Sequence, residues 1–160
     1  MIFLDTSALV KAYLTEPGST TVREIFRRFK GELCLSDHVA LEALATFAYK
    51  LRDGKLTRSS YKRARADFSK DYEREFLLLE VTDGVLETAM RLAHDHRKLG
   101  VGTVDLIHVA TALHLHSEQA PPAITVACAD RSMRLLASAA GFEVFDPEND
   151  DVARLGAAAN

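Results

Sequence analysis

Cysteine is scarce in this chain of 160 residues, with only Cys34 and Cys128 present. Two cysteines without a CxxC spacing cannot make a disulfide framework or a zinc finger, and they fit a reducing compartment. Charged residues interrupt every apolar run before the about 18 residues that a membrane-spanning helix needs. The opening Met1-Ile2-Phe3-Leu4-Asp5 lacks the basic stretch that begins a secretory leader. The expectation is a soluble, cytoplasmic protein with no membrane attachment. A Walker loop is also missing, and Gly100-Val101-Gly102 lacks the third glycine and the preceding strand of a dinucleotide fingerprint. Neither sign of charge dominates. Lys+Arg number 20 against 23 Asp+Glu, a net charge of −3, so a polyanion would have to find a local basic face.

What is present is a hydrophobic share of 48% and a charged share of 27%, the balance of one globular domain. Short apolar runs at 2 to 4, 33 to 35, 76 to 81, 124 to 127 and 143 to 145 read as five strands. Helical periodicity separates them, over 8 to 14, 19 to 30, 37 to 51, 57 to 75, 83 to 99, 104 to 116 and 130 to 140. Gly100 and Pro121-Pro122 serve as expected stops, and 37 to 51 with 57 to 75 reads as a helical hairpin turned at Asp53-Gly54. Strands that are apolar throughout and alternate with helices predict an α/β fold with a parallel sheet covered on both faces. The domain is expected over 1 to 146, followed by an acidic, Ala-rich tail over 147 to 160.

Four carboxylates stand beside or inside apolar runs: Asp5, Glu42, Asp105 and Asp130. Asp5 and Asp130 each follow a strand and precede a helix, where either serves equally well as an N-cap. Asp105 opens a helix, where the dipole favours an acid and Thr103 is a candidate cap. Glu42 has no capping role in Val39-Ala40-Leu41-Glu42-Ala43-Leu44, and His38, four residues earlier, is the nearest titratable neighbour. In a doubly wound sheet the strand ends share one edge, and ligands bind where the strand order reverses. If the first and fourth strands are neighbours, Asp5 and Asp130 flank that point, and two helices can add Glu42 and Asp105. Two carboxylates about 4 Å apart repel by roughly 4 kcal/mol at an effective dielectric of 20, so four together require a cation. Hard oxygen donors without Cys or paired His select Mg²⁺, with Mn²⁺ as substitute.

Between Lys50 and Arg65 the chain carries Lys50, Arg52, Lys55, Arg58, Lys62, Arg63 and Arg65 against Asp53 alone. This segment is the candidate basic face for RNA, with Lys50, Arg52, Lys55 and Lys62 as candidate contacts; a solvated helix face or a protein dock reads equally well. His94 and His96, like His114 and His116, are two apart and do not share a helix face, so they read as solvated. His108, three residues after Asp105, reads as a satisfied core histidine.

Taken together, these residues resemble the PIN domain family, and most closely the VapC-like toxins of type II toxin–antitoxin pairs. Met1-Ile2-Phe3-Leu4-Asp5-Thr6-Ser7-Ala8-Leu9-Val10-Lys11 is similar to the family's opening. Glu42 matches the glutamate of its third helix, Asp105-Leu106-Ile107-His108-Val109-Ala110-Thr111-Ala112 its third motif, and Ala129-Asp130-Arg131-Ser132-Met133 its fourth. One departure is Cys128, where the family usually has Thr or Ser, at the cost of a secondary hydrogen bond. The resemblance implies strand order 3-2-1-4-5, a homodimer, a cognate antitoxin, and Mg²⁺-dependent endoribonuclease activity. Asp5, Glu42, Asp105 and Asp130 would hold the metal, with Thr6 and Ser7 orienting Asp5 or its water. The alternative is a PIN-like metal-binding scaffold or RNA-binding module without turnover. Other phosphoryl-transfer readings fit less well, because Asp5-Thr6-Ser7 is not Asp-x-Asp and Asp146-Pro147-Glu148 stands where a receiver module carries its lysine.

Overall fold

In the computed structural model, which describes residues 1 to 118 and 123 to 157, strand and helix alternate as the patterning predicts. The strands are β1 (Ile2–Leu4), β2 (Leu33–Ser36), β3 (Leu77–Leu79), β4 (Thr125–Ala127) and β5 (Glu143–Phe145). They form one sheet in the order β3-β2-β1-β4-β5, and every pairing is parallel. The order implied by the resemblance is therefore the one observed. The connections carry α1 (Thr6–Tyr13), α2 (Ser19–Arg28), α3 (Val39–Arg52), α4 (Arg58–Tyr72), α5 (Asp83–Asp95), α6 (Thr103–Glu118) and α7 (Arg131–Ala139), and α8 (Arg154–Ala157) follows β5.

Because strand side chains alternate in direction, the sheet feeds two cores. Ile2, Leu4, Leu33, Leu35 and Ala127 face a layer built from α1, α2, α3 and α4, with Phe47 and Phe68 in edge-to-face contact at 6.1 Å. Phe3, Cys34, Val126 and Cys128 face α5, α6 and α7 through Val85, Val109 and Met133. Strands buried on both sides have no polar face to display, which is why they read as continuous apolar runs. The edge strand β3 is shorter than the expected 76 to 81, and Leu77 and Leu78 are exposed.

Helix α5 stops at Asp95, not at residue 99: His96 is its C-cap, and a further turn brings the chain to Gly100 at φ 64°. The stop expected at Pro121-Pro122 lies outside the described residues. The α3–α4 hairpin forms as expected, with Gly54 at φ 70° and the Lys55 and Leu56 amides both donating to the Lys50 carbonyl. Beyond β5, residues 147 to 155 turn back onto the first core, where Val152 is buried. Gly18 makes that path possible: at φ 81° it lies so close to the strap that a Cβ there would sit 2.8 Å from the Pro147 carbonyl oxygen.

Candidate active site

Strands β1 and β4 are neighbours, with Leu4 opposite Ala127 and the Asp5 amide donating to the Ala127 carbonyl at 3.1 Å. The strand order reverses between them, so the crevice lies where the topology requires. It has a volume of about 480 Å³, and Asp5, Glu42, Asp105 and Asp130 all line it.

Asp5 and Asp130 are both caps and site residues. Asp5 Oδ2 caps α1 by accepting from the Ser7 amide at 3.0 Å, and also accepts from the Ser7 hydroxyl at 2.5 Å. Ser7 Oγ in turn accepts from the amides of Ala129 (2.9 Å) and Asp130 (3.2 Å). A hydroxyl has one hydrogen and two lone pairs, and Ser7 spends all three on tying β1 to the loop after β4. Asp130 Oδ1 caps α7, accepting from the Met133 amide at 3.0 Å and the Ser132 hydroxyl at 2.5 Å. The Ser132 hydroxyl and then the Met133 amide hold the Asp130 carboxyl below its usual range.

Glu42 and Asp105 have no capping role. Glu42 Oε2 accepts from Thr6 Oγ1 at 2.7 Å and lies 2.6 Å from His108 Nε2. Partial burial raises the Glu42 pKa, but the hydrogen bond and charge of His108, helped by Thr6, reverse this and leave it below the usual value. Among the described residues Asp105 has only a 3.3 Å hydrogen bond from the Gly102 amide, and Thr103 is the first residue of α6, not its cap. Burial, followed by the charges of Asp5 and Asp130, pushes the Asp105 pKa up to about 6. Asp105 therefore feels two acids that are distant in sequence, the electrostatic mark of a shared pocket.

His108 corrects the sequence reading. It is not a satisfied core residue: its ring is 1% exposed, Nε2 points at Glu42 and lies 3.8 Å from Asp5 Oδ1, and buried Nδ1 has no partner among the described residues. Burial works against protonation, but the hydrogen bond to Glu42 and the charges of Asp5, Glu42 and Asp105 outweigh it and raise the pKa. Part of the carboxylate repulsion is thus answered from within the protein. No sequence signal near Glu42 could reveal this partner, which comes from another helix; His38 instead pairs with Asp37 at 2.7 Å. The other histidines are also not uniformly solvated, since His114 lies 3.0 Å from the Thr88 hydroxyl.

Cys128 keeps a contact that the substitution was expected to remove: Sγ lies 3.3 Å from Asp5 Oδ2 and 3.5 Å from the Ser7 hydroxyl. Burial and then the Asp5 charge push its pKa up, so it remains a neutral thiol and a weak donor to Asp5.

The candidate RNA contacts separate in space. Lys50 enters the crevice, where its ammonium pairs with Glu16 at 2.6 Å. Arg52 pairs with its neighbour Asp53 and lies over the Tyr49 ring at 5.0 Å. Lys55 lines a separate groove between α1, α2 and α4, and Lys62 is exposed on α4. Three residues missed by sequence reasoning also line the crevice: Lys11, Glu16 and Glu148.

Four carboxylates without a thiolate are a hard-oxygen donor set that fits Mg²⁺ or Mn²⁺. The set is not closed: among the described residues, no three His, Cys, Asp or Glu side chains stand so that they could hold one ion between them. Crowded oxygen donors, with Asp105 raised by burial and then by the charges of Asp5 and Asp130, still fit a divalent cation better than any neutral ligand.

No curated protein matches the sequence. Among solved structures, the chain is similar to FitAcB from Neisseria gonorrhoeae, with 20% identity, TM-score 0.64, and 94% of this chain and 100% of that one covered. It is likewise similar to DNA-bound VapBC from Salmonella typhimurium, at 16% identity and TM-score 0.66 over 91% of this chain and 97% of that one. A third likeness is to VapC20 from Mycobacterium tuberculosis, a sarcin-ricin loop cleaving toxin, at 20% identity and TM-score 0.64 over 89% and 96%. At these identities the likeness is one of fold. The PIN domain model matches residues 2–139, which include all four carboxylates, and the chain belongs to the PIN domain family.

Proposed function

We propose that this protein is a Mg²⁺-dependent endoribonuclease and the toxin of a type II toxin–antitoxin pair. The observation that carries the reading is the gathering of Asp5, Glu42, Asp105 and Asp130 in one crevice, with Asp105 raised to about 6 by burial and by Asp5 and Asp130. Asp5, Glu42, Asp105 and Asp130 would hold the metal, and Mn²⁺ would substitute for Mg²⁺. When bound, the ion supplies Lewis-acid activation of water and neutralises charge on the phosphate.

The protein's own part is to place the carboxylates. Ser7 fixes Asp5 through Oδ2, so Oδ1 is the oxygen directed toward His108 and the crevice. Thr6 and His108 hold Glu42 by Oε2. Asp130 is held as a cap and resists protonation. Hydrolysis forms a new P–O bond from water and breaks the bond to O3′, leaving 5′-phosphate and 3′-hydroxyl ends.

The antitoxin partner is supported by fold likeness to FitAcB and to DNA-bound VapBC, and RNA as substrate by likeness to VapC20. A homodimer would cover Leu86 and Met90, which are exposed one turn apart on α5. Among the described residues no helix is long and apolar enough to cross a membrane, and we place the activity in the cytoplasm with its RNA. The test is cleavage of a fluorescent RNA pool with Mg²⁺ and with EDTA, for the parent and Asp5→Asn. Cleavage that needs Mg²⁺ and falls at least about a thousandfold in the variant is expected. Equal cleavage by Asp5→Asn, or none by the parent on any RNA, would overturn the reading.

A further inference from the structure

Beside the four carboxylates runs a second set of charges that the metal chemistry does not use. Glu42, Thr46 and Lys50 follow one another at a four-residue spacing on α3, so they form one stripe, and all three line the crevice. At the end of that stripe, Lys50 Nζ lies 2.6 Å from Glu16 Oε2. The other oxygen of Glu16 lies 3.4 Å from Lys11 Nζ, which is also 2.6 Å from Glu148 Oε1. The chain of contacts thus reads Lys50, Glu16, Lys11, Glu148, with charge alternating at each step.

Exposure assigns different roles to the two lysines. The Lys11 side chain is 6% exposed and cannot reach a ligand at the mouth, so it is the interior anchor that fixes Glu16 and Glu148. The Lys50 side chain is 27% exposed. Lys11 and Lys50 are the basic residues among those lining the crevice, so among the described residues Lys50 is the one lysine there that a bound strand can touch. An untethered ammonium beside Asp5, Glu42, Asp105 and Asp130 would fold onto them; Glu16 holds it aside. The Glu16 carboxylate is also a singly charged oxygen acceptor, as is one phosphodiester of a nucleic acid, so one can replace the other on the ammonium charge for charge.

We propose that Lys50 is the crevice's contact for a backbone phosphate of the bound RNA, and that Glu16 is its place-holder, occupying the ammonium until that phosphate displaces it. The inference rests on the nuclease reading and adds to it the group that grips the strand beside the reacting bond. Glu16 is a positioning residue that acts through Lys50. The basic hairpin, which looks like the binding face in sequence, contributes this one cation to the crevice.

The test is fluorescence anisotropy of a labelled single-stranded RNA of about twelve nucleotides, in EDTA, across a series of NaCl concentrations, with the full chain. Lys50→Gln should weaken binding about tenfold at low salt and reduce the slope of log K against log[salt] by about 0.7, the loss of one phosphate contact to a single strand. Lys50→Arg should retain binding, which separates loss of charge from misfolding. Glu16→Gln should tighten binding about fivefold, and should gain nothing when combined with Lys50→Gln, because its effect passes through that ammonium. Melting curves identify any variant that has lost its fold, and Lys50→Arg then decides. RNA binding that ignores Lys50→Gln overturns the contact, and an unchanged affinity in Glu16→Gln overturns the place-holder. A parent that binds no RNA at any salt concentration overturns the phosphate contact, and the nuclease reading falls separately, on absence of Mg²⁺-dependent cleavage.

Discussion

Asp5 and Asp130 differ from Glu42 and Asp105 in what else each does for the fold. The first pair caps α1 and α7, and backbone amides and serine hydroxyls support their negative charge. The second pair has no such employment: Glu42 depends on a histidine from another helix, and Asp105, among the described residues, on a single long hydrogen bond. Half of the site therefore follows from local structure that would exist without chemistry, while Glu42 relies on a partner distant in sequence and Asp105 carries a charge that costs the folded protein stability. Carboxylates kept at a cost are the stronger mark of function.

The contrast is broken most severely by removing His108, the buried partner of Glu42. His108→Ala deletes a buried ring that also meets Phe3 edge-on at 6.1 Å, and frees Glu42 from its closest partner. A loss of about 3 kcal/mol in urea denaturation is expected, together with impaired cleavage. A near-parental midpoint would show that the Glu42–His108 pair does not support the fold.

On the capped side, Ser7→Ala should leave the Ala129 and Asp130 amides without their acceptor and Asp5 without its hydroxyl donor. We expect about 2 kcal/mol of destabilisation, a fall of about 4 to 8 °C in melting temperature, and at least a tenfold loss of cleavage. A variant that melts earlier but cleaves normally would separate the clamp from Asp5 positioning.

Asp105→Asn sharpens the comparison from the costly side. Its folded pKa of about 6 lies above the ordinary 3.8, so the folded chain binds the proton more tightly than the unfolded one. Stability falls as pH rises through that window, and the full penalty is present above it. The variant should melt higher than the parent at pH 7.5 without metal. After allowance for solvent screening, the gain is about 1 kcal/mol or 2 to 4 °C, and it should vanish below pH 4. A variant less stable than the parent at pH 7.5 would contradict the shared-pocket electrostatics.

The smallest effects belong to the hairpin. Arg52→Ala and Lys62→Ala remove charges outside the crevice, and RNA affinity at physiological salt should change less than about twofold. A tenfold loss in either would return the binding face to the α3–α4 hairpin.

Much of this architecture is legible in the sequence because the strands are apolar on both faces and glycine or proline punctuates the helices. Asp5 and Asp130 are legible as strand-end acids, and Glu42 as a carboxylate with no local reason to exist. The pairing of β1 with β4 is not legible from patterning, since nothing local distinguishes one parallel order from another. His108 is misread for a similar reason: its partner lies 66 residues away, and only helix packing joins them. The basic run from Lys50 to Arg65 shows how density along a chain misleads. A helix end, a turn and a second helix send Lys50, Arg52, Lys55 and Lys62 to different surroundings. Glu16 and Glu148 carry no motif at all, and they reach the crevice through Lys11.

Calorimetric titration of Mg²⁺ into the full chain addresses the carboxylate crevice most directly, with Asp5→Asn, Glu42→Gln, Asp105→Asn and Asp130→Asn measured beside it. Binding to the parent at pH 7.5 that weakens at least tenfold in each variant is the expected result. Binding that survives unchanged in all four, or no binding to the parent, would contradict the account.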